Sequence, residues 1–220
     1  MNDSVLRTLS EKIQPSHTAL VIVDMLNDYV DPNGKAATRA DRPIEVARSI
    51  IPAIQKLLSV ARERNVLVTH IVQTVLPDGL SDSGPWIDGR SRATYCTSDL
   101  AMDGSWGQQV IPELAPAPGE ASVKKYRFSG FVGTNLDLIL RSHNILTTIV
   151  CGVSTNVCVE ATARDAFSHE YYVVMPKDAC ASWDMQLHEA SLRTAAQRYA
   201  VVPTVDEIVE IWSSTPALAR

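Results

Sequence analysis

Ala19-Leu20-Val21-Ile22-Val23 is apolar at every position and stops at Asp24; no other feature narrows the possible folds as much. A strand with one wet face alternates apolar and polar side chains. A run without alternation must be covered on both faces, the situation of a parallel sheet between helical layers. Comparable runs occupy residues 66–72, 145–153 and 171–175, with shorter ones ending at Val123 and at Val201-Val202. Helical patterns separate them. Pro43 opens one through Ile44, Ala47, Ile51, Ile54, Leu57 and Leu58, spaced by three and four residues. Thr134 is placed to cap a second through Leu136, Leu138, Ile139 and Leu140, with Asp137 at its third position. Others run through Val159, Ala163 and Phe167, through Leu187, Ala190, Leu192 and Ala195, and over 205–212. Strand and helix alternate throughout, which predicts a doubly wound three-layer α/β sandwich around a mostly parallel sheet. Residues 74–108, rich in Gly, Pro, Asp and Ser, read as one long irregular connection, and loops of that length usually serve function. No repeat or linker divides the chain, so 1–220 reads as a single domain.

The partner class follows from charge. With 20 Lys and Arg against 25 Asp and Glu, the formal charge is −5. No basic run offers phosphate contacts, so neither nucleic acid nor a membrane surface is an expected partner. Cys96, Cys151, Cys158 and Cys180 are far apart, form no CxxC pair and accompany no apolar leader or span, so reduced thiols in the cytoplasm are expected. The glycine fingerprint of dinucleotide folds is missing, and no cofactor is expected.

Ligands of open α/β sheets bind beyond the carboxyl ends of the strands. Asp24, Lys125 and Cys158 all fall there. Singly, each has an ordinary reading, as a turn former, a solvated amine and a small core residue. Together they make a base, a cation and a nucleophile. Cys158 follows the passage Val150-Cys151-Gly152-Val153-Ser154-Thr155-Asn156-Val157 from strand into helix, so its thiol lies in a first helical turn. There the dipole favours thiolate, and the N–H groups of Ser154 and Cys158 are placed to form an oxyanion hole. Cys151, inside the strand, reads as packing. Asp24, breaking an apolar strand end, requires a nearby cation. Lys125 is the candidate, with Lys124 the alternative. Asn27, Tyr29, Gln73, Tyr126 and Phe128 adjoin this chemistry in sequence and are candidate substrate contacts; Trp86 and Trp106 are candidates to close over the substrate. Arg164 and Asp165 read as a helix-surface or interface ion pair, and apolar residues near Trp212 and Leu218 as a subunit interface.

The segments VIVDMLNDY, VKKYRFSGFVGTNLDLILRS and CGVSTNVCVEATARDAF, in that order between about residues 18 and 205, resemble the isochorismatase-like cysteine hydrolases. That family includes nicotinamidases, N-carbamoylsarcosine amidohydrolases, biuret hydrolases and ureidoacrylate amidohydrolases, and the look is nearest to the last branch. The resemblance implies an isochorismatase-like, Rossmann-like topology and cleavage of a C–N bond in a small amide or ureide through an acyl- or carbamoyl-enzyme. It implies Asp24 as general base, Lys125 as electrostatic partner, Cys158 as nucleophile, and Ser154 and Cys158 as oxyanion donors. A cis peptide between Val153 and Ser154 and assembly into a homodimer or homotetramer are also implied. Two departures stand out: Leu26 replaces the branch's usual Gln, and residues 77–106 do not match. Metal-dependent nicotinamidases carry an Asp-x-His pair after the second strand; here His70 lies inside the strand and Gln73-Thr74 follows, so no metal site is expected. The alternatives are an ether hydrolase of the isochorismatase type, whose members lack the nucleophilic Cys, and a catalytically silent binding module.

Overall fold

The structure, a computed structural model, describes residues 5–40, 42–92 and 99–214; Cys96 and Leu218 lie outside the described residues. Its elements are α1 (Leu9–Lys12), β1 (Thr18–Val23), α2 (Asn27–Val30), α3 (Lys35–Ala40), α4 (Ile44–Arg48), α5 (Ile51–Glu63), β2 (Leu67–Gln73), α6 (Gly84–Ser91), β3 (Ala121–Lys125), α7 (Leu136–Ser142), β4 (Thr147–Val153), α8 (Glu160–Ser168), β5 (Tyr172–Val174), β6 (Cys180–Ala181), α9 (Met185–Arg198), β7 (Ala200–Val201) and α10 (Val205–Ser214).

The strands form one sheet in the order β3-β2-β1-β4-β5-β7, with β6 beside the end of β4, and every pairing is parallel. All residues of β1 and β4 are buried, as runs without alternation require. α5 and α10 pack on one another, while α8 lies on β4 and β5. The order reverses at β1, where the chain leaves toward β2 on one side and β4 on the other. That is the switch point where open α/β sheets bind ligands. At the register pair Val23–Gly152 the central strands come very close. A Cβ on Gly152 would stand 2.1 Å from the Val23 carbonyl oxygen, and its φ is +113°, so only glycine fits.

Several expectations are corrected. The helix from Pro43 is two helices, α4 and α5. Pro52, in the first turn of α5, has no N–H to continue an earlier helix and starts a new one. The connection 74–108 carries α6, invisible to periodicity because none of its residues is buried. α7 starts at Leu136 with Asn135 at its cap position, and the Thr134 hydroxyl accepts from the Leu136 N–H at 3.2 Å. Asp137 therefore stands one place earlier than predicted. β3 runs two residues past Val123 and ends at Lys125. Trp212 faces inward with 0 % exposure, its indole N–H donating to the Ile13 carbonyl at 2.6 Å, and is therefore no part of a subunit interface. Among the described residues, no helix is long and apolar enough to cross a membrane.

Candidate active site

β3 settles which lysine faces inward. Its alternation exposes Lys124, which pairs with Asp103 at the surface, and buries Lys125 on the Val123 side. An interior ammonium must be surrounded by acceptors. Lys125 Nζ lies 2.9 Å from Asp24 Oδ2, and donates to Gln73 Oε1 at 2.6 Å, to the Arg127 carbonyl at 3.2 Å and to Cys158 Sγ at 3.3 Å. Burial pulls this ammonium down, but the Asp24 carboxylate and the Cys158 sulfur outweigh it, and Lys125 stays above the ordinary lysine value.

Asp24 follows β1 directly, with φ +54°. Its N–H donates to the Ile71 carbonyl at 3.0 Å, and its Oδ1 accepts the Gln73 N–H at 2.9 Å. Both carboxylate oxygens are therefore fixed from β2 and β3. Cys158 arrives from the other side, in a π-helical turn (Thr155–Val159) that leads into α8. The preceding Val153–Ser154 peptide is cis, as the family resemblance implied. The turn is braced: Thr162 Oγ1 donates to the Cys158 carbonyl at 2.7 Å, Ser182 Oγ to Asn156 Oδ1 at 2.6 Å, and Thr155 Oγ1 bonds His188 Nδ1 at 2.8 Å. Burial pushes the Cys158 thiol up to about 12; the Lys125 ammonium opposes this and Asp24 adds to it. Burial thus works against the dipole-lowered thiolate expected from the first-turn position, and the Lys125 ammonium works for it.

Asp24 and Cys158 open onto a cavity of about 530 Å³. Of the predicted contacts, Tyr29, Gln73, Trp86 and Phe128 are on its wall; Asn27 and Tyr126 are not. Asn27 is 2 % exposed and donates to the Trp106 carbonyl at 2.9 Å, so it holds a loop. Trp106 is half-exposed and off the wall. Gln73 has its amide oxygen on Lys125, which makes it a positioning group as well as a wall residue. Arg164 pairs with Glu160, one helical turn earlier at 2.6 Å, rather than with its neighbour Asp165. Both partners line the cavity, as do Arg42, Arg90 and Trp183, which sequence reasoning missed. Arg42 stacks over the Trp183 ring at 4.0 Å, a pairing across 141 residues that leaves no local signal. His70 is fully buried in β2, its Nε2 3.3 Å from Glu120 Oε2.

The isochorismatase-domain family matches residues 18–207 of this chain. Ureidoacrylate amidohydrolase RutB of Agrobacterium fabrum is 36 % identical over 176 residues, spanning 76 % of this chain and 77 % of the relative. Among solved structures, a cysteine hydrolase from Pseudomonas syringae pv. phaseolicola superposes with a TM-score of 0.82 at 30 % identity, covering 97 % of this chain and 99 % of the other. N-carbamoylsarcosine amidase from Thermoplasma acidophilum gives a TM-score of 0.68 at 28 % identity, over 86 % and 97 % of the two chains. With nearly its whole folded length matched, and with the switch point of its sheet carrying an acid, an ammonium and a thiol, this chain belongs to the isochorismatase family of hydrolases.

Proposed function

We propose that the protein is an amidohydrolase that cleaves a C–N bond of a small, non-peptide amide or ureide with Cys158 as nucleophile. The observation that carries this reading is the placement of the buried Lys125 Nζ, 2.9 Å from Asp24 and 3.3 Å from the Cys158 sulfur, behind the one cavity whose wall Asp24 and Cys158 share. The names of the amidohydrolase relatives support the reaction class.

In the resting site Cys158 is a thiol facing a carboxylate and an ammonium. Asp24 takes the thiol proton as sulfur adds to the substrate carbonyl, and the charge left on sulfur is met by Lys125. The carbonyl oxygen becomes an oxyanion, received by the backbone N–H groups of Ser154 and Cys158. Asp24 returns its proton to the departing nitrogen, the C–N bond breaks, and a thioester remains, or an S-carbamoyl group if the carbonyl belongs to a ureide. Water then gives a proton to Asp24 and attacks the same carbon. The C–S bond breaks and the thiol regains its proton. Burial, which raises the thiol, suits this sequence, because Asp24 then takes the proton as the sulfur attacks.

The test is ammonia release across ureides, carbamoyl amino acids, maleamate and nicotinamide. Cys158→Ala should lower turnover of the true substrate by several orders of magnitude. Rapid acid quench of the wild type should yield a chain heavier by the acyl or carbamoyl group. Near-normal turnover by Cys158→Ala, or insensitivity to thiol alkylation, defeats the covalent mechanism.

A further inference from the structure

We propose that Asn156 is a specificity-determining contact, its side-chain NH2 donating to a second oxygen of the substrate beside the scissile group; this rests on the hydrolytic reading above. Asn156 lies in the π-helical turn of Cys158, is half-buried and forms part of the cavity wall. Its Oδ1 accepts from Ser182 Oγ at 2.6 Å. Its Nδ2 has no acceptor among the described residues, and the atom is accessible rather than sealed in the interior. Gln73, the other carboxamide among the described residues of the wall, is spent at both ends. Its Oε1 is on Lys125, and its Nε2 donates to the Thr74 carbonyl at 3.3 Å.

The orientation of this amide is fixed from the sheet. Ala181 pairs with Val153 at the end of β4, and Ser182, 3 % exposed, follows it. The Ser182 oxygen accepts the Asp184 N–H at 3.4 Å, which leaves its proton for Asn156. A contact of 2.6 Å also suits O–H···O, about 2.7 Å, better than N–H···O, about 2.9 Å. Oδ1 therefore faces Ser182. The two arms of a carboxamide diverge, so the NH2 is turned away from Ser182 to the open side of the residue, which is the cavity. In a mostly apolar pocket the few oriented polar groups fix the ligand. A scissile carbonyl oxygen has two lone pairs, and in the proposed reaction the N–H groups of Ser154 and Cys158 meet both. The Asn156 donor therefore serves a different oxygen.

The experiment measures kcat and KM for ammonia release from malonamide, succinamide and acetylurea. Each is paired with an analogue of the same shape that has an isopropyl group in place of the second carbonyl unit: isovaleramide, 4-methylvaleramide and isopropylurea. Comparing the ratio within a pair between proteins cancels the intrinsic reactivity of each compound. Asn156→Asp keeps the Ser182 bond, and Asn156→Leu keeps the size without a charge. Neither donates, and both should lower the dicarbonyl-to-alkyl ratio of kcat/KM for the best pair about tenfold, chiefly through KM. Ser182→Ala, which frees the amide to turn over, should lower it by a smaller factor. A variant that merely loosens the turn would slow both members of a pair alike, and an unchanged ratio in either Asn156 variant overturns the proposal. Absence of ammonia from these and from every compound named above would overturn the hydrolytic reading instead. If none of the six is turned over, Asn156 is judged by protection. Malonamide should slow methyl methanethiosulfonate labelling of Cys158 more than isovaleramide does in the wild type, and not in Asn156→Asp. Equal protection by the two compounds in the wild type, or the same difference in both proteins, overturns the assignment.

Discussion

Lys125 illustrates how one side chain can be required by its surroundings and require them in turn. Its ammonium is fully buried, and what keeps it charged there is chiefly Asp24 at 2.9 Å. Removing one member of such a pair strands the other in a low-dielectric site, which costs about 3–5 kcal/mol, whereas removing both charges together costs far less. Lys125→Met should therefore lower the urea-unfolding free energy by about that amount. The double variant Asp24→Asn/Lys125→Met should recover a substantial part of it, although neither protein turns over substrate. If the double variant were as unstable as the sum of two single losses, Asp24 and Lys125 would not be coupled. The need for a cation beside Asp24 was legible in the sequence, because an acid ending an apolar strand has few other means of support. The choice between Lys124 and Lys125 stayed open in the sequence, where the strand ends at Val123; only β3 extended to Lys125 lets period-two alternation put that lysine on the buried Val123 side. Arg42, Arg90 and Trp183 were not readable. They reach the cavity through chain folding, and no local spacing records that.

At the scale of elements, β1 and β4 were the clearest features of the sequence because burial on both faces keeps every charged residue out of them and leaves only threonines, at their starts, as polar side chains. α6 was the least clear because it has no fully buried residue and so no apolar stripe to detect. The functional geometry depends on the clear pair. Asp24 follows β1 immediately, Cys158 follows β4 by five residues, and Gly152 lets the two strands touch just before both side chains emerge. Gly152→Ala puts a methyl group 2.1 Å from the Val23 carbonyl oxygen at φ +113°. The strands must then separate or the chain must rotate. Either movement should cost several kcal/mol and displace the sulfur from the carboxylate. The expected result is a large loss of urea stability and, in any folded fraction, activity reduced more than tenfold. A Gly152→Ala protein with wild-type stability and turnover would mean that the close approach of β1 and β4 does not set the site.

For the whole molecule, the buried thiols make stability sensitive to alkaline pH. Burial pushes Cys158 and Cys180 up to about 12 and Cys151 well above the ordinary thiol value, where Cys180 also contributes. In the unfolded chain these groups ionise near 8.5. Below that value both states hold the protons, and the full stability is present. Above it the unfolded chain releases protons that the folded chain retains, so unfolding gains free energy and stability falls as pH rises toward 12. Each such thiol contributes a slope of about 1.4 kcal/mol per pH unit once the unfolded form is ionised. Buried Tyr199, also raised to about 12, joins above the ordinary tyrosine value. Urea midpoints of the reduced protein should therefore decline steadily between pH 8.5 and 10.5. Lysines and surface tyrosines titrate in the same range, so the decisive comparison is with Cys151→Val, which removes one inert, fully buried thiol and leaves the site alone. Its slope should be shallower than the wild type's by about one thiol's share. Parallel slopes for the two proteins would show that Cys151 ionises in the folded state as readily as in the unfolded one, and that the interior around β4 is wetter than its packing implies.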